Sequence, residues 1–118
     1  MMRPAQDLPV VYLCRDPVDF RKGINSLAVL VEDVLCLDPF SEHLFVFCNR
    51  SRSGIKILYW ERNGFCLWQK RLERDRFYWP RSTRLPVTLT GQELNWLLDG
   101  VDLAALQGHR RLEYSSVL

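Results

Sequence analysis

The sequence has no apolar run approaching the roughly 18 residues that a membrane-spanning helix needs, which excludes an integral membrane protein built on such helices. Its first ten residues, Met1 to Val10, hold Pro4, Asp7 and Pro9 and no apolar signal-peptide core. Secretion is therefore not expected, and a cytoplasmic location is. Histidine is scarce, with only His43 and His109, and the four cysteines at 14, 36, 48 and 66 form no Cys-x-x-Cys pair. A zinc site of the usual ligand spacing is excluded, as is a His-hydrophobe-His metal site with a tyrosine nucleophile. Each cysteine lies among apolar neighbours, which reads as reduced, buried thiols. There is no Gly-x-x-x-x-Gly-Lys phosphate loop and no Gly-x-Ser-x-Gly elbow. There is also no internal repeat and no low-complexity tract. No pattern calls for a cofactor.

What is present is 118 residues, 47% hydrophobic and 25% charged. That is enough chain for one domain with a real core. The expected core spans about residues 10–106, and residues 107–118 read as a flexible tail. Val10-Val11-Tyr12-Leu13-Cys14 is a short strand-forming run. Asp16 then suits a helix cap and Pro17 a first helical residue. Phe20, Ile24, Leu27, Ala28, Val31, Val34 and Leu35 recur at helical spacing, which predicts one long helix over about 18–36. Gly23 inside that helix costs ~1 kcal/mol relative to Ala and calls for a reason other than propensity, such as a close backbone contact. Pro39 disfavours helical geometry just before itself and is expected to end the helix.

Leu44-Phe45-Val46-Phe47-Cys48 reads as a strand buried on both faces, and residues 49–54 as a loop. Ile55 to Glu61 and Phe65 to Leu72 read as a hairpin around Asn63-Gly64. A two-residue turn at that pair sets Tyr59 opposite Trp68, Trp60 opposite Leu67 and Lys56 opposite Arg71. Val87-Thr88-Leu89 is one more short strand. Thr90 and Glu93 form a capping box. They start a short C-terminal helix with Leu94, Leu97, Leu98 and Val101 on one face, stopped near Gly100. A further helical turn is expected over Asp102 to Leu106. The fold class is α+β: a small, mainly antiparallel sheet with one long helix packed on a face and a short C-terminal helix.

The net charge of +2 hides an asymmetry. Residues 50–84 hold ten Lys/Arg against three Asp/Glu, whereas residues 1–49 hold four against seven and residues 85–118 two against four. The ten cations are Arg50, Arg52, Lys56, Arg62, Lys70, Arg71, Arg74, Arg76, Arg81 and Arg84. They interleave with Tyr59, Trp60, Trp68, Phe77, Tyr78 and Trp79. Arginine and lysine neutralise phosphates, and aromatic rings offer stacking surfaces for bases. The bland alternative is a solvated arginine face over core aromatics, and it suits Tyr59, Trp60, Phe65 and Trp68, which are ordinary sheet-packing residues. Arg21 and Lys22 form a second candidate for phosphate or partner contact. Ion pairing with Asp19, or plain solvation, is the favoured account of that pair.

A metal-dependent nuclease needs two or three converging carboxylates. Asp16, Asp19, Glu32, Asp33, Asp38, Glu61, Glu73 and Asp75 are available, but no trio stands out by spacing. A cysteine nucleophile needs a nearby base, and neither histidine is placed by sequence. The expectation is no enzyme, no catalytic residue and no metal site.

Several co-ordered strings carry a resemblance. They are Pro17-Val18-Asp19-Phe20-Arg21-Lys22-Gly23-Ile24 with Leu27-Ala28, and Asp38-Pro39-Phe40-Ser41 leading into Leu44-Phe45-Val46-Phe47. The densest is Ile55-Lys56-Ile57-Leu58-Tyr59-Trp60 with Asn63-Gly64-Phe65-Cys66-Leu67-Trp68, Lys70-Arg71-Leu72-Glu73 and Phe77-Tyr78-Trp79-Pro80. From about Val11 to Asp102 the chain resembles the small TnpB accessory protein of a class of three-gene bacterial insertion sequences. That family is distinct from the RNA-guided nuclease that shares the label. Arg15-Asp16 stands where smaller uncharged residues are expected, and Cys48 where a basic or small one is usual. The resemblance implies a role in transposition beside a separate, larger protein that looks like the DNA-cutting transposase. It carries over no catalytic residue. Together with the charge block it implies a non-catalytic accessory protein that binds DNA through the basic hairpin region. The alternative is an interaction subunit that binds the transposase, or other element-encoded proteins, without touching DNA. A cryptic metal-dependent nuclease ranks third.

Overall fold

The computed structural model describes residues 10–81 and 86–105. Val11–Leu13 forms strand β1, Ile24–Asp33 helix α1, and Leu44–Cys48 strand β2. Gly54–Glu61 and Gly64–Arg71 form the hairpin β3 and β4, Val87–Leu89 is β5, and Gly91–Leu98 is helix α2. The five strands make one sheet in the order β4-β3-β2-β1-β5. The β1–β2 pair is parallel, because the chain crosses over through α1 between them. The other three pairings are antiparallel. The fold is therefore α+β and mainly antiparallel.

Strand periodicity divides the core into two layers. Phe45, Phe47 and Leu58 point to one face and pack with Leu27 and Val31 of α1. Leu44, Val46, Cys48, Ile55 and Ile57 point to the other and pack with Leu94, Leu97 and Leu98 of α2. Alternate residues of a strand face opposite ways, so all five residues of β2 are buried. Full burial of each such side chain contributes about 1.5–3 kcal/mol.

The first helix is shorter than its apolar spacing predicts. Asp16 does not cap it and Pro17 does not begin it, since α1 starts at Ile24 with Gly23 at its N-cap. Two interactions hold residues 18–23 out of the helix. The Val18 N–H donates to the Cys48 carbonyl at 2.8 Å, which continues the chain along β2. The Asp19 carboxylate accepts the Arg21 N–H at 2.9 Å, a local turn that competes with helical hydrogen bonding. Gly23 has open space around it rather than the close contact expected. The helix ends at Asp33, well before Pro39. Cys36, with φ 56, turns the chain, and the Leu37 N–H reaches back to the Val31 carbonyl at 3.0 Å. Helix α2 carries the expected box: the Thr90 side chain accepts the Glu93 N–H, and the Glu93 carboxylate accepts the Thr90 N–H. Leu103–Ala105 begin the further helical turn. The tail expected at 107–118 lies outside the described residues.

The hairpin turns one residue earlier than Asn63-Gly64 predicts. Glu61 pairs with Gly64, so the two turn residues are Arg62 and Asn63, with Arg62 at φ 53. Tyr59 therefore opposes Cys66, Trp60 opposes Phe65, and Lys56 opposes Gln69 rather than Arg71. The turn preference yields to aromatic packing. The Trp60 and Phe65 rings meet edge-on with centroids 5.0 Å apart, and Phe40 lies 5.1 Å and 5.2 Å from them.

Lys56 is the charged exception in the core. It sits 6% exposed on the α1 face. Its ammonium donates to the carbonyls of Phe20 at 2.8 Å and Lys22 at 3.0 Å and lies 4.8 Å from the centre of the Phe20 ring. The same ring passes so close to Gly54 that an added Cβ would sit 2.7 Å from it. Lys56→Met keeps the bulk but leaves two carbonyls without their donor. It is expected to cost about 2 kcal/mol, read as a lower urea midpoint at unchanged m-value; an unmoved midpoint refutes the structural role. Gly54→Ala is expected to cost about 1–3 kcal/mol by overpacking. Phe20→Leu in the same chain should relieve part of that cost in a double-mutant cycle, and strict additivity would show that the two positions do not meet.

Candidate nucleic-acid interface

The connection between β2 and β3 is a tight, self-bonded loop. The Asn49 amide donates to Ser53 Oγ at 3.1 Å, and its oxygen accepts the Gly54 N–H at 3.1 Å. The Ser51 and Ser53 hydroxyls lie 2.8 Å apart, and the Arg52 N–H donates to the Asn49 carbonyl at 3.1 Å. Arg52 itself adopts φ 60. These bonds fix the direction in which Arg50 and Arg52 leave the backbone.

The chain after β4 crosses this loop. The Leu72 N–H donates to the Ser53 carbonyl at 2.8 Å, and the Phe77 N–H to the Arg52 carbonyl at 2.7 Å. Residues 77 and 79 then plunge into the α2-side core, Phe77 2% exposed and Trp79 6%. The Trp79 indole donates to the Cys14 carbonyl at 3.2 Å. Because alternate residues point inward, Arg76 and Tyr78 point outward, and Tyr78 is 55% exposed.

The loop, the crossing segment and the end of α2 enclose a groove of 1210 Å³. Five arginines line it: Arg50, Arg52, Arg74, Arg76 and Arg81. Asp75, Asp99 and Asp102 line it too, so its charge is mixed but predominantly positive. A second cavity of 600 Å³ between the end of β1 and the end of α1 is mainly apolar, lined by Tyr12, Leu30, Val34 and Leu35 among others, with Arg15 and Asp16 on its wall.

The remaining expected cations lie elsewhere. Lys56 is buried on the opposite face and spent on two carbonyls. Lys70 donates to the Leu98 carbonyl at 2.7 Å, placing a cation at the negative end of α2. Arg71 pairs with Glu73 at 3.2 Å on the surface. Arg62 sits at the hairpin tip, roughly 20 Å along the strands from the groove end of β3. Arg84 lies outside the described residues. Arg21 is clasped by Asp19 at 2.6 Å, and its guanidinium holds the Asp19 carboxyl well down, at about 2. Lys22 is exposed beside it. The sequence thus points to the stretch but not to the subset. The groove's three aspartates and the outward aim of Tyr78 come from the fold: Asp99 and Asp102 arrive from a different part of the chain.

Among the described residues no group of three or more His, Cys, Asp or Glu side chains could hold a metal ion. The cysteines do not all match the expected burial: Cys14 and Cys48 are buried, Cys66 is half-buried and Cys36 is exposed. Burial pushes the Cys48 thiol up to about 12, against a smaller opposing pull from Arg52, and pushes Cys14 upward as well.

A family model described as "IS66 Orf2 like protein" matches residues 9–108. The chain belongs to the IS66 Orf2-like family. That family groups accessory proteins of an insertion sequence, so this IS66 Orf2-like chain is an insertion-sequence accessory protein. It is similar to "Uncharacterized protein y4hO" of Sinorhizobium fredii, at 38% identity over 101 residues, covering 86% of this chain and 88% of the relative. It is also similar to "Uncharacterized protein y4jC" of the same organism, at 31% identity over 102 residues and 86% of each chain. No solved structure matches. No helix among the described residues is long and apolar enough to cross a membrane.

Two outcomes follow for the thiols. At pH 8 a chromogenic disulfide reagent should label Cys36 at once and Cys14 and Cys48 only after urea unfolding; fast labelling of Cys48 in the folded chain contradicts its burial. The folded chain also holds the proton on Cys48 up to about 12, whereas unfolding returns it to 9.0. The unfolded state then binds fewer protons above pH 9, so this stabilisation is complete below pH 9 and lost as pH rises toward 12. Cys48→Ala should flatten that alkaline fall in thermal midpoint.

Proposed function

We propose that this insertion-sequence protein is a non-catalytic DNA-binding accessory of transposition and that the arginine groove holds the DNA phosphates. The observation that carries the reading is the convergence of Arg50, Arg52, Arg74, Arg76 and Arg81 on one concave surface. Guanidiniums present several donors in a fixed fork that matches phosphate oxygens, and the self-bonded 49–54 loop and the Phe77 and Trp79 anchors steady the backbone at Arg50, Arg52 and Arg76. The separate transposase supplies the cutting in this account, and this chain supplies a grip.

A second reading keeps the chain off DNA and makes it a docking subunit for the transposase. The Phe40, Trp60 and Phe65 cluster favours it, since Phe40 is 56% exposed on top of two other rings. Large exposed aromatics at the surface are frequent anchors of protein interfaces. This cluster packs beside the hairpin tip, so the two readings involve different ends of the molecule.

Fluorescence anisotropy against a labelled DNA 20-mer at rising salt separates them. The native chain should bind at low salt, with a log–log slope of roughly −0.7 to −0.9 per phosphate contact. The combined Arg74→Ala, Arg76→Ala and Arg81→Ala variant should lose about 2–3 units of that slope, while Arg62→Ala keeps it. No affinity at low salt, or a triple variant that binds like the native chain, defeats the groove. Nuclease-resistant co-purification with the transposase that is lost only in Phe40→Ser would move the assignment to the aromatic end.

A further inference from the structure

We infer that the groove takes unpaired DNA and that Tyr78 is a stacking platform for one of its bases. This rests on the DNA-binding reading above and goes beyond it by naming the strand state and the contact.

Tyr78 is the groove's one strongly exposed aromatic among the described residues, at 55%, while its neighbours Phe77 and Trp79 are sealed in the core. Those two anchors, the Phe77 N–H bond to Arg52 and the Trp79 indole bond to Cys14 fix the backbone on either side of the ring. The ring is presented on a segment already held in place, so little backbone ordering remains to be done when a base arrives. An aromatic face set among cations that track a phosphate backbone is the physical pattern of single-strand binding. A paired base cannot offer its face to that ring without first leaving its stack.

The aspartates point the same way. Asp75 and Asp102 stand among the arginines, where they repel phosphates, and Asp102 also accepts the Ala104 N–H at 3.0 Å through its Oδ1. Carboxylates accept hydrogen bonds from exocyclic base amines such as cytosine N4, and an unpaired base offers both of that amine's hydrogens where a paired one offers a single hydrogen. Arginines for the backbone, a ring for the base face and carboxylates for the base edge together describe one ligand: a short stretch of unpaired DNA, as found at a frayed or processed end.

The test uses the full chain and a fluorescein-labelled mixed-sequence 20-mer, offered as single strand, as duplex, and as a single strand with several abasic positions. The native chain should bind the single strand about tenfold more tightly than the duplex, and the abasic strand should lose most of that advantage. Tyr78→Ala should weaken single-strand binding about tenfold and leave duplex binding unchanged, with Tyr78→Phe restoring it. A urea midpoint equal to native confirms that the exposed substitution leaves the fold intact. Equal affinity for all three probes, or a Tyr78→Ala chain that binds single strand like the native one, overturns the stacking assignment while the DNA-binding reading stands. Tighter binding to an RNA 20-mer of the same sequence overturns the assignment to DNA. No binding to any probe at low salt removes both.

Discussion

Both faces of β2 are closed by protein, and that constraint organises the rest of the molecule. A strand sealed on two sides has no polar positions to spare, which is why Leu44 to Cys48 are apolar throughout. Its neighbours must then supply one helix to each face, and the crossover through α1 and the return through α2 do so. Where a charge does enter this layer, at Lys56, the backbone bends to meet it. The chain at 20–22 turns its carbonyls toward the ammonium and lays the Phe20 ring beside it. A buried ammonium costs several kcal/mol to desolvate, and this one is satisfied by the segment that also delays the start of α1.

The strands were legible because their signal is local. Short runs rich in aliphatic and aromatic residues mark all five, and the Thr90–Glu93 box marks the start of α2. The start of α1 was not, because Phe20 falls at a helical interval from Ile24 yet packs over Gly54 from a turn; spacing records that a residue is buried, not by which backbone. The hairpin register escaped for a related reason. The expected and observed pairings differ by two residues in sum, which leaves every side chain on the same face of the sheet. Face alternation cannot separate them, and the Trp60–Phe65–Phe40 contact decides between them in space.

The site was half legible. Charge clustering in residues 50–84 pointed to the third of the chain that supplies the groove's five arginines, yet that third winds through a loop, two faces of a hairpin and a crossing segment. Alternation sends Lys56 inward on one face and Lys70 to the other, where it meets the end of α2. Among the described residues only the cations on the loop and the crossing segment share the groove. A linear density of charge becomes a field only after the fold has sorted it.

Arg52 shows where that sorting strains the chain. Its φ of 60 lies in the region that glycine or asparagine occupies with ease, and an arginine there costs about 1–2 kcal/mol. The same backbone unit offers its carbonyl to Phe77 and its side chain to the groove. Under the proposed function, fold and ligand make opposite demands of this one residue. An engineer selecting for thermal robustness alone would arrive at glycine here, and would obtain a hardier protein with a blunted grip.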